Sequence, residues 1–253
     1  MILACKDISK SYGTDVILEK ITFNLEEKEK AAVVGVNGAG KTTLVKLICG
    51  FFDPTHGKVL LDSKDIREFN RQDYYAMFSA VFQNFSLLAG TIAANVAQTE
   101  ENYDMERIKD CAEKAGLTSK INSLKDGYQT KLNRSVYEDG AELSGGEQKR
   151  VCIARALSVQ PRCIIFDETT AGLDVVRRRQ ALDLVRSLQR ERRFAALFVT
   201  HDLAVARYMA DTLWVMKDGA IVDTLERPFS SQSIHHPYTA LLMSEADLGI
   251  TAP

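Results

Sequence analysis

Apolar residues in this chain gather in short uninterrupted runs: Ala31-Ala32-Val33-Val34, Cys163-Ile164-Ile165-Phe166 and Ala195-Ala196-Leu197-Phe198-Val199. Such runs predict buried strands, and the doubly buried kind belongs to parallel sheets covered by helices. Ahead of them, Ile2-Leu3-Ala4-Cys5 and Ile21-Thr22-Phe23-Asn24-Leu25 flank the turn-like stretch 11–15, which predicts an antiparallel start. A turn at 53–57, a short strand at Lys58–Leu61, a polar stretch at 62–73 and a strand over Met77–Phe82 follow. From Thr91 to about Ser123 the period becomes helical, with Ile92, Val96, Ile108, Ala112, Ala115 and Leu117 at i, i+3 and i+4 spacings. A helix after Ser144 is expected to turn Val151, Ile153, Ala154 and Leu157 inward and Lys149 and Arg150 outward. Another after Asp174 carries Val176, Leu184, Val185 and Leu188, with Arg177–Arg179, Arg190, Arg192 and Arg193 as a solvated basic face. Leu213–Met216 and Ala220–Val222 around Lys217-Asp218-Gly219 read as a hairpin, and a short helix is expected near Tyr238–Glu245.

Composition narrows this α/β picture. A length of 253 residues sits near the upper bound for one core, so a single domain with two lobes is expected. The expected division is 1–84 with 159–229 as the core, 85–158 as a helical subdomain and 230–253 as a C-terminal extension. With 45% apolar and 26% charged residues and no apolar run near the ~20 needed to cross a bilayer, the reading is a soluble, cytoplasmic protein. A net charge of −2 offers no general attraction to nucleic acid or anionic lipid. Cys5, Cys49, Cys111, Cys152 and Cys163 are dispersed without C-x-x-C spacing, which argues for reduced, structural thiols.

The chemistry starts at Gly35-Val36-Asn37-Gly38-Ala39-Gly40-Lys41-Thr42-Thr43, between a predicted strand and a predicted helix. The spacing G-x-x-x-x-G-K-[ST] lets glycines turn the backbone tightly and aim successive N–H groups at an anion, with the helix N-terminus adding its positive end. Lys41 would reach the β- and γ-phosphates and the Thr42 hydroxyl would hold Mg²⁺. Leu143-Ser144-Gly145-Gly146-Glu147 has the form of a capping box, and its serine and paired glycines at a helix start also suit an anion. The buried strand 163–166 ends at Asp167-Glu168, at the strand end where open α/β sheets bind ligands; Asp167 suits Mg²⁺ and Glu168 suits water activation. His201 follows the next buried strand and is expected at the same rim. Tyr12 is an aromatic that could stack on a base.

Taken together, the phosphate loop 35–43, Gln83, the signature 143–147, Asp167-Glu168, Ala171-Gly172-Leu173-Asp174 and His201 resemble, in order, the motifs of an ABC-type ATPase. The resemblance implies a P-loop NTPase core with an antiparallel β subdomain and a helical, signature-bearing subdomain. It implies two copies, of the same chain or a related one, packed head to tail around two ATP and docked on a membrane permease, with no nucleic acid. Lys41 and the loop would hold phosphates, Thr42, Gln83 and Asp167 would hold Mg²⁺, and Tyr12 would stack on adenine. Glu168 would polarise water, His201 would contact the γ-phosphate, Asp174 would link the two sites, and Ser144, Gly145 and Gly146 would act across the dimer. Thr169 departs from the family's usual Pro or Ala, and Glu147 from its frequent Gln. The subfamily resemblance also shifts: 1–50 is similar to soluble ABC proteins or importer subunits, 51–157 to exporter domains, and the end, with His236-Pro237-Tyr238-Thr239, to oligopeptide- or nickel-type importer subunits. That shift suggests a mosaic or engineered chain joined near Gly50 and Ser158, binding ATP without a natural partner, beside a divergent natural protein.

Overall fold

The computed structural model describes residues 2–83, 86–133, 136–169, 174–230 and 233–249. Its contacts divide the chain into two units: 1–80 with 162–168 and 192–253, and 81–161 with 169–191.

In the first unit the apolar runs become strands β3 (Lys30–Val34), β7 (Cys163–Asp167) and β8 (Ala195–Thr200), and residues 31–34, 163–167 and 195–200 are all buried. They pair in parallel, Val34 opposite Thr200 and Asp167 opposite Val199, so their C-terminal ends lie along one edge. Phe166 and Phe198 stack across neighbouring strands at 5.0 Å. The full sheet runs β10-β9-β3-β8-β7-β6, with β6 (Phe78–Val81), β9 (Thr212–Lys217) parallel to β3, and β10 (Ala220–Glu226) antiparallel to β9. Near-continuous burial without alternation is what a parallel sheet covered on both faces demands.

The antiparallel start forms a second sheet in the order β2-β1-β4-β5, from β1 (Leu3–Tyr12), β2 (Asp15–Leu25), β4 (His56–Leu61) and β5 (Lys64–Asp65). β1 and β2 are longer than their apolar cores suggest, because pairing continues past irregularities at Cys5/Ile8 and Ile8/Lys10 into half-exposed polar residues. Phe23 of this sheet meets Trp214 of β9 at 4.3 Å, both rings buried. Helix α1 (Lys41–Ile48) follows the loop. The polar stretch 62–73 is more ordered than a connection: it holds β5 and the start of α2 (Arg71–Met77), which Asn70 caps by accepting the Gln72 N–H, so Met77 ends a helix and is not a strand residue. Helices α8 (Leu203–Met209) and α9 (Pro237–Gly249) complete this unit, packed on each other.

In the second unit the helical period breaks into α3 (Ile92–Ala97), α4 (Met105–Lys114) and α5 (Thr118–Ser123). Left-handed Gln98 ends α3 and left-handed Gly116 follows α4, while α5 ends at the extended Leu124. α3 and α4 pack against α6 (Gly145–Ser158), whose Val151, Ile153, Ala154 and Leu157 are buried as expected. Arg150 corrects the expectation of an outward face: it is half-buried and donates to the Gly116 carbonyl at 2.7 Å. Helix α7 (Val175–Arg192) contributes most of its length to this unit. All five cysteines are buried free thiols. No helix among the described residues is long and apolar enough to cross a membrane.

Candidate functional site

The edge where β3, β7 and β8 end collects the loop 35–43, Asp167-Glu168 and Thr200-His201. Loop geometry depends on two glycines in particular. A Cβ on Gly35 would strike the Met216 carbonyl, and Gly40 caps α1 with φ 95, where a side chain would also run into Leu18. Ala39 is buried, whereas Val36, Asn37 and Gly38 form an exposed tip and Thr42 is exposed at the first turn of α1, with Thr43 half-exposed. Lys41 is only 7% exposed and folds back, its ammonium donating to the carbonyls of Gly35 at 2.7 Å and Val36 at 3.0 Å. Burial lowers its proton affinity below the usual lysine range, with Glu168 and then Asp167 pulling the other way.

Asp167 is 7% exposed, and burial, reinforced by the neighbouring Glu168 charge, pushes its carboxyl up to about 6 against the pull of Lys41 and Lys46. Glu168 sits in the left-handed region at φ 49, a strained backbone for a residue with a side chain, and its N–H donates to the Val199 carbonyl at 2.9 Å. That bend turns its carboxylate toward β8: Oε1 lies 2.9 Å from His201 Nδ1, and Oε2 accepts the Thr200 hydroxyl at 3.5 Å. Thr200 in turn accepts the Asp202 N–H at 3.0 Å, while Asp202 caps α8. The predicted partners Lys41, Asp167, Glu168 and His201 therefore form one polar cluster, and Thr200, which sequence reasoning passed over as the end of a buried strand, belongs with it.

Tyr12 ends β1 with its ring 48% exposed, edge-on to Phe52 at 6.2 Å and with the Lys10 ammonium 5.1 Å from its centroid. Lys46 of α1 lies 5.5 Å from the Phe52 ring. Neither Phe52 nor Lys10 was singled out in the sequence, since an aromatic in a turn carries no pattern of its own.

The other predicted positions lie in the second unit. Gln83 is exposed just past β6. Ser144 caps α6 as a true capping box: Glu147 Oε2 accepts the Ser144 N–H at 2.7 Å, and the Ser144 hydroxyl accepts the Glu147 N–H at 3.4 Å. Gly145 and Gly146 have open space where a Cβ would stand. Burial works to raise the Glu147 carboxyl, but hydrogen bonds from Ser144 and Lys120 outweigh it and hold the acid below its usual range. Asp174 is exposed, and its carbonyl accepts the Arg178 N–H in the first turn of α7 at 2.8 Å. Ala171, Gly172 and Leu173 lie outside the described residues.

The cluster fits a hard divalent cation together with phosphates. Among the described residues no three His, Cys, Asp or Glu converge. Mg²⁺ needs no such cage: it takes one or two carboxylates, a hydroxyl and phosphate oxygens, and a buried carboxylate beside a second acid is the group that gains most from a cation.

The family model for ABC transporters matches residues 18–171. The chain is 34% identical over 226 residues to the glycine betaine/carnitine transport ATP-binding protein GbuA of Listeria monocytogenes, covering 86% of this chain and 54% of that protein. It is 34% identical over 224 residues to the ATP-dependent lipid A-core flippase of Vibrio parahaemolyticus, covering 87% of this chain and 37% of the flippase. The structure of a bacterial Atm1-family ABC exporter with ATP bound matches with TM-score 0.84 at 27% identity, over 99% of this chain and 42% of the exporter chain. The chain thus spans about half or less of these relatives' lengths. Matches covering 86% and 87% of the chain run through both Gly50 and Ser158, so the mosaic reading finds no support in them. The expected fold, a P-loop NTPase core with antiparallel β and helical parts, is the observed one, and the chain belongs to the ABC transporter family.

Proposed function

We propose that this chain binds and hydrolyses ATP as the nucleotide-binding part of an ABC transporter, coupled to a membrane permease and lying at the inner face of the membrane. The observation that carries the reading is the convergence of Lys41, Asp167, Glu168 and His201 beside the phosphate loop at the ends of β3, β7 and β8. Phosphoryl transfer asks little of a protein beyond charge neutralisation and an aligned water, and this cluster supplies both. Lys41 exchanges its hydrogen bonds to the Gly35 and Val36 carbonyls for phosphate oxygens, and the loop N–H groups from Asn37 to Thr43 turn to the same anion. Thr42 and Asp167 would hold Mg²⁺, with Gln83 as a further ligand on the family's pattern, and the ion would neutralise phosphate charge. Glu168 polarises the attacking water, and His201, bonded to Oε1, fixes the orientation of that carboxylate and offers its other edge to the γ-phosphate. Tyr12 presents its exposed ring to the adenine.

A second copy, or a related chain, completes each site by lending Ser144, Gly145 and Gly146, with Asp174 linking the pair. Support for this part is the solvent-facing signature: a serine already capping a helix, and glycines with nothing within 4 Å of a Cβ position. The permease docks on the second unit and the segment after Gln83; in that unit Leu87, Leu132, Ala141 and Leu143 line a cavity of about 360 Å³, and Leu88 and Val136 are exposed. The test is Glu168→Gln. It should retain Mg-ATP binding and lose about 10²–10⁴ in turnover, roughly 3–5 kcal/mol of barrier. Near-normal hydrolysis would remove Glu168 from the mechanism.

A further inference from the structure

The C-terminal part of the chain returns to the phosphate loop, and none of the roles above uses it. Asp223, 5% exposed in β10, accepts the backbone N–H groups of His235 at 3.2 Å and His236 at 2.9 Å, which pins the start of α9 to the sheet. His236 Nδ1 then accepts the Tyr238 N–H at 3.1 Å, and the two rings meet at 6.5 Å and 73°. From β9, the Lys217 ammonium lies 5.5 Å from the centroid of the Tyr238 ring. Held in this way, the Tyr238 hydroxyl accepts the N–H of Val36 at 3.0 Å, across 202 positions of sequence. A second brace comes from the β9–β10 turn, where the Gly219 N–H donates to the Ala39 carbonyl at 3.2 Å.

Tyr238 is not a core residue of its helix. Thr239 at 0% and Met243 at 8% exposure anchor α9, while Tyr238 is half-buried and its hydroxyl meets the loop. Val36 directly follows the first loop glycine, so a bond to its amide restrains the peptide unit from which Asn37 to Lys41 lead on. A tyrosine has few rotatable bonds, and a phenol already gripped by a lysine and a histidine loses little freedom in making that contact.

We propose that Tyr238 is a positioning residue for the phosphate loop, its hydroxyl holding the Val36 amide so that the loop is aimed before nucleotide arrives. This rests on the reading that the loop binds nucleotide. Titration calorimetry of the full chain with Mg-AMPPNP, for the wild type, Tyr238→Phe and Lys41→Ala, tests both, with thermal unfolding of each protein measured without nucleotide. Losing one hydrogen bond should weaken Tyr238→Phe by about 2- to 12-fold in Kd. The loss should fall on KM more than on kcat in ATP turnover, with the unfolding temperature held. A Tyr238→Phe chain that binds Mg-AMPPNP like the wild type, or one that loses only thermal stability, overturns the positioning role while Lys41→Ala still abolishes binding. A wild-type chain that binds no Mg-AMPPNP overturns the nucleotide reading and the positioning role with it.

Discussion

Replacing Asp167 by asparagine should stabilise the nucleotide-free protein at neutral pH, although it damages the site. The carboxyl is 7% exposed and is pushed from its ordinary 3.8 up to about 6, first by burial and then by Glu168. At about 1.4 kcal/mol per pH unit, that displacement means the ionised group costs about 3 kcal/mol of stability near pH 7.5. The sign follows from proton binding: the folded chain holds this proton more tightly than the unfolded chain, so stability from this group is greatest below pH 4 and declines as pH rises through 4–6. Asparagine keeps the shape and cannot ionise. Asp167→Asn should therefore exceed the wild type by about 3 kcal/mol at pH 7.5, narrowing to about 1 kcal/mol at pH 4.5. For a chain of this size, about 3 kcal/mol is roughly 6–12 °C in Tm. The assay is thermal unfolding of both proteins from pH 4.5 to 7.5 without divalent cation or nucleotide. A variant no more stable than the wild type, or a gap that does not change with pH, would refute burial as the cause. With Mg-ATP present the wild type should gain more than the variant, because a tighter-binding ligand stabilises the folded state more, as the logarithm of [L]/Kd.

Two further changes probe the second unit. Asn95 is fully buried, accepting the Leu88 N–H and the Arg155 guanidinium, each at 2.8 Å, and donating to the Leu88 and Thr91 carbonyls. Asn95→Ala leaves the Leu88 amide and one amino group of Arg155 without their acceptor, while Arg155 keeps the Asn95 backbone carbonyl, and should cost about 3 kcal/mol in urea unfolding; a loss below 1 kcal/mol would contradict this network. Gly145→Ala meets nothing within 4 Å and should leave the unfolding temperature unchanged. Because that glycine is assigned to a partner's nucleotide, ATP turnover should fall roughly 10²-fold, and unchanged turnover would place the signature outside the site.

Much of this was legible because local rules and tertiary structure agree. The loop 35–43, the capping box at Ser144 and the carboxylates closing a buried strand each carry their reason within a few residues. The observed bends are less local. Nothing in Phe166-Asp167-Glu168 announces that Glu168 adopts φ 49, since that conformation is imposed by Val199 and Thr200 on the neighbouring strand. Asn95 hides in the apolar segment Ile92–Ala97, where one polar residue reads as a helix surface and is instead the hub of the α3–α6 contact. The amphipathic period predicts an outward Arg150, and its guanidinium goes instead to the carbonyl of the left-handed Gly116, which no helical period encodes. Tyr238 and Val36 share no pattern, because a contact over 202 positions is written in the topology of β9, β10 and α9.

The most direct test of the central claim is steady-state ATP hydrolysis by this chain as a function of its own concentration, with Glu168→Gln as the control. A shared site predicts specific activity that rises with protein concentration and is lost in the variant. Specific activity independent of concentration, or equal in the two proteins, would contradict it.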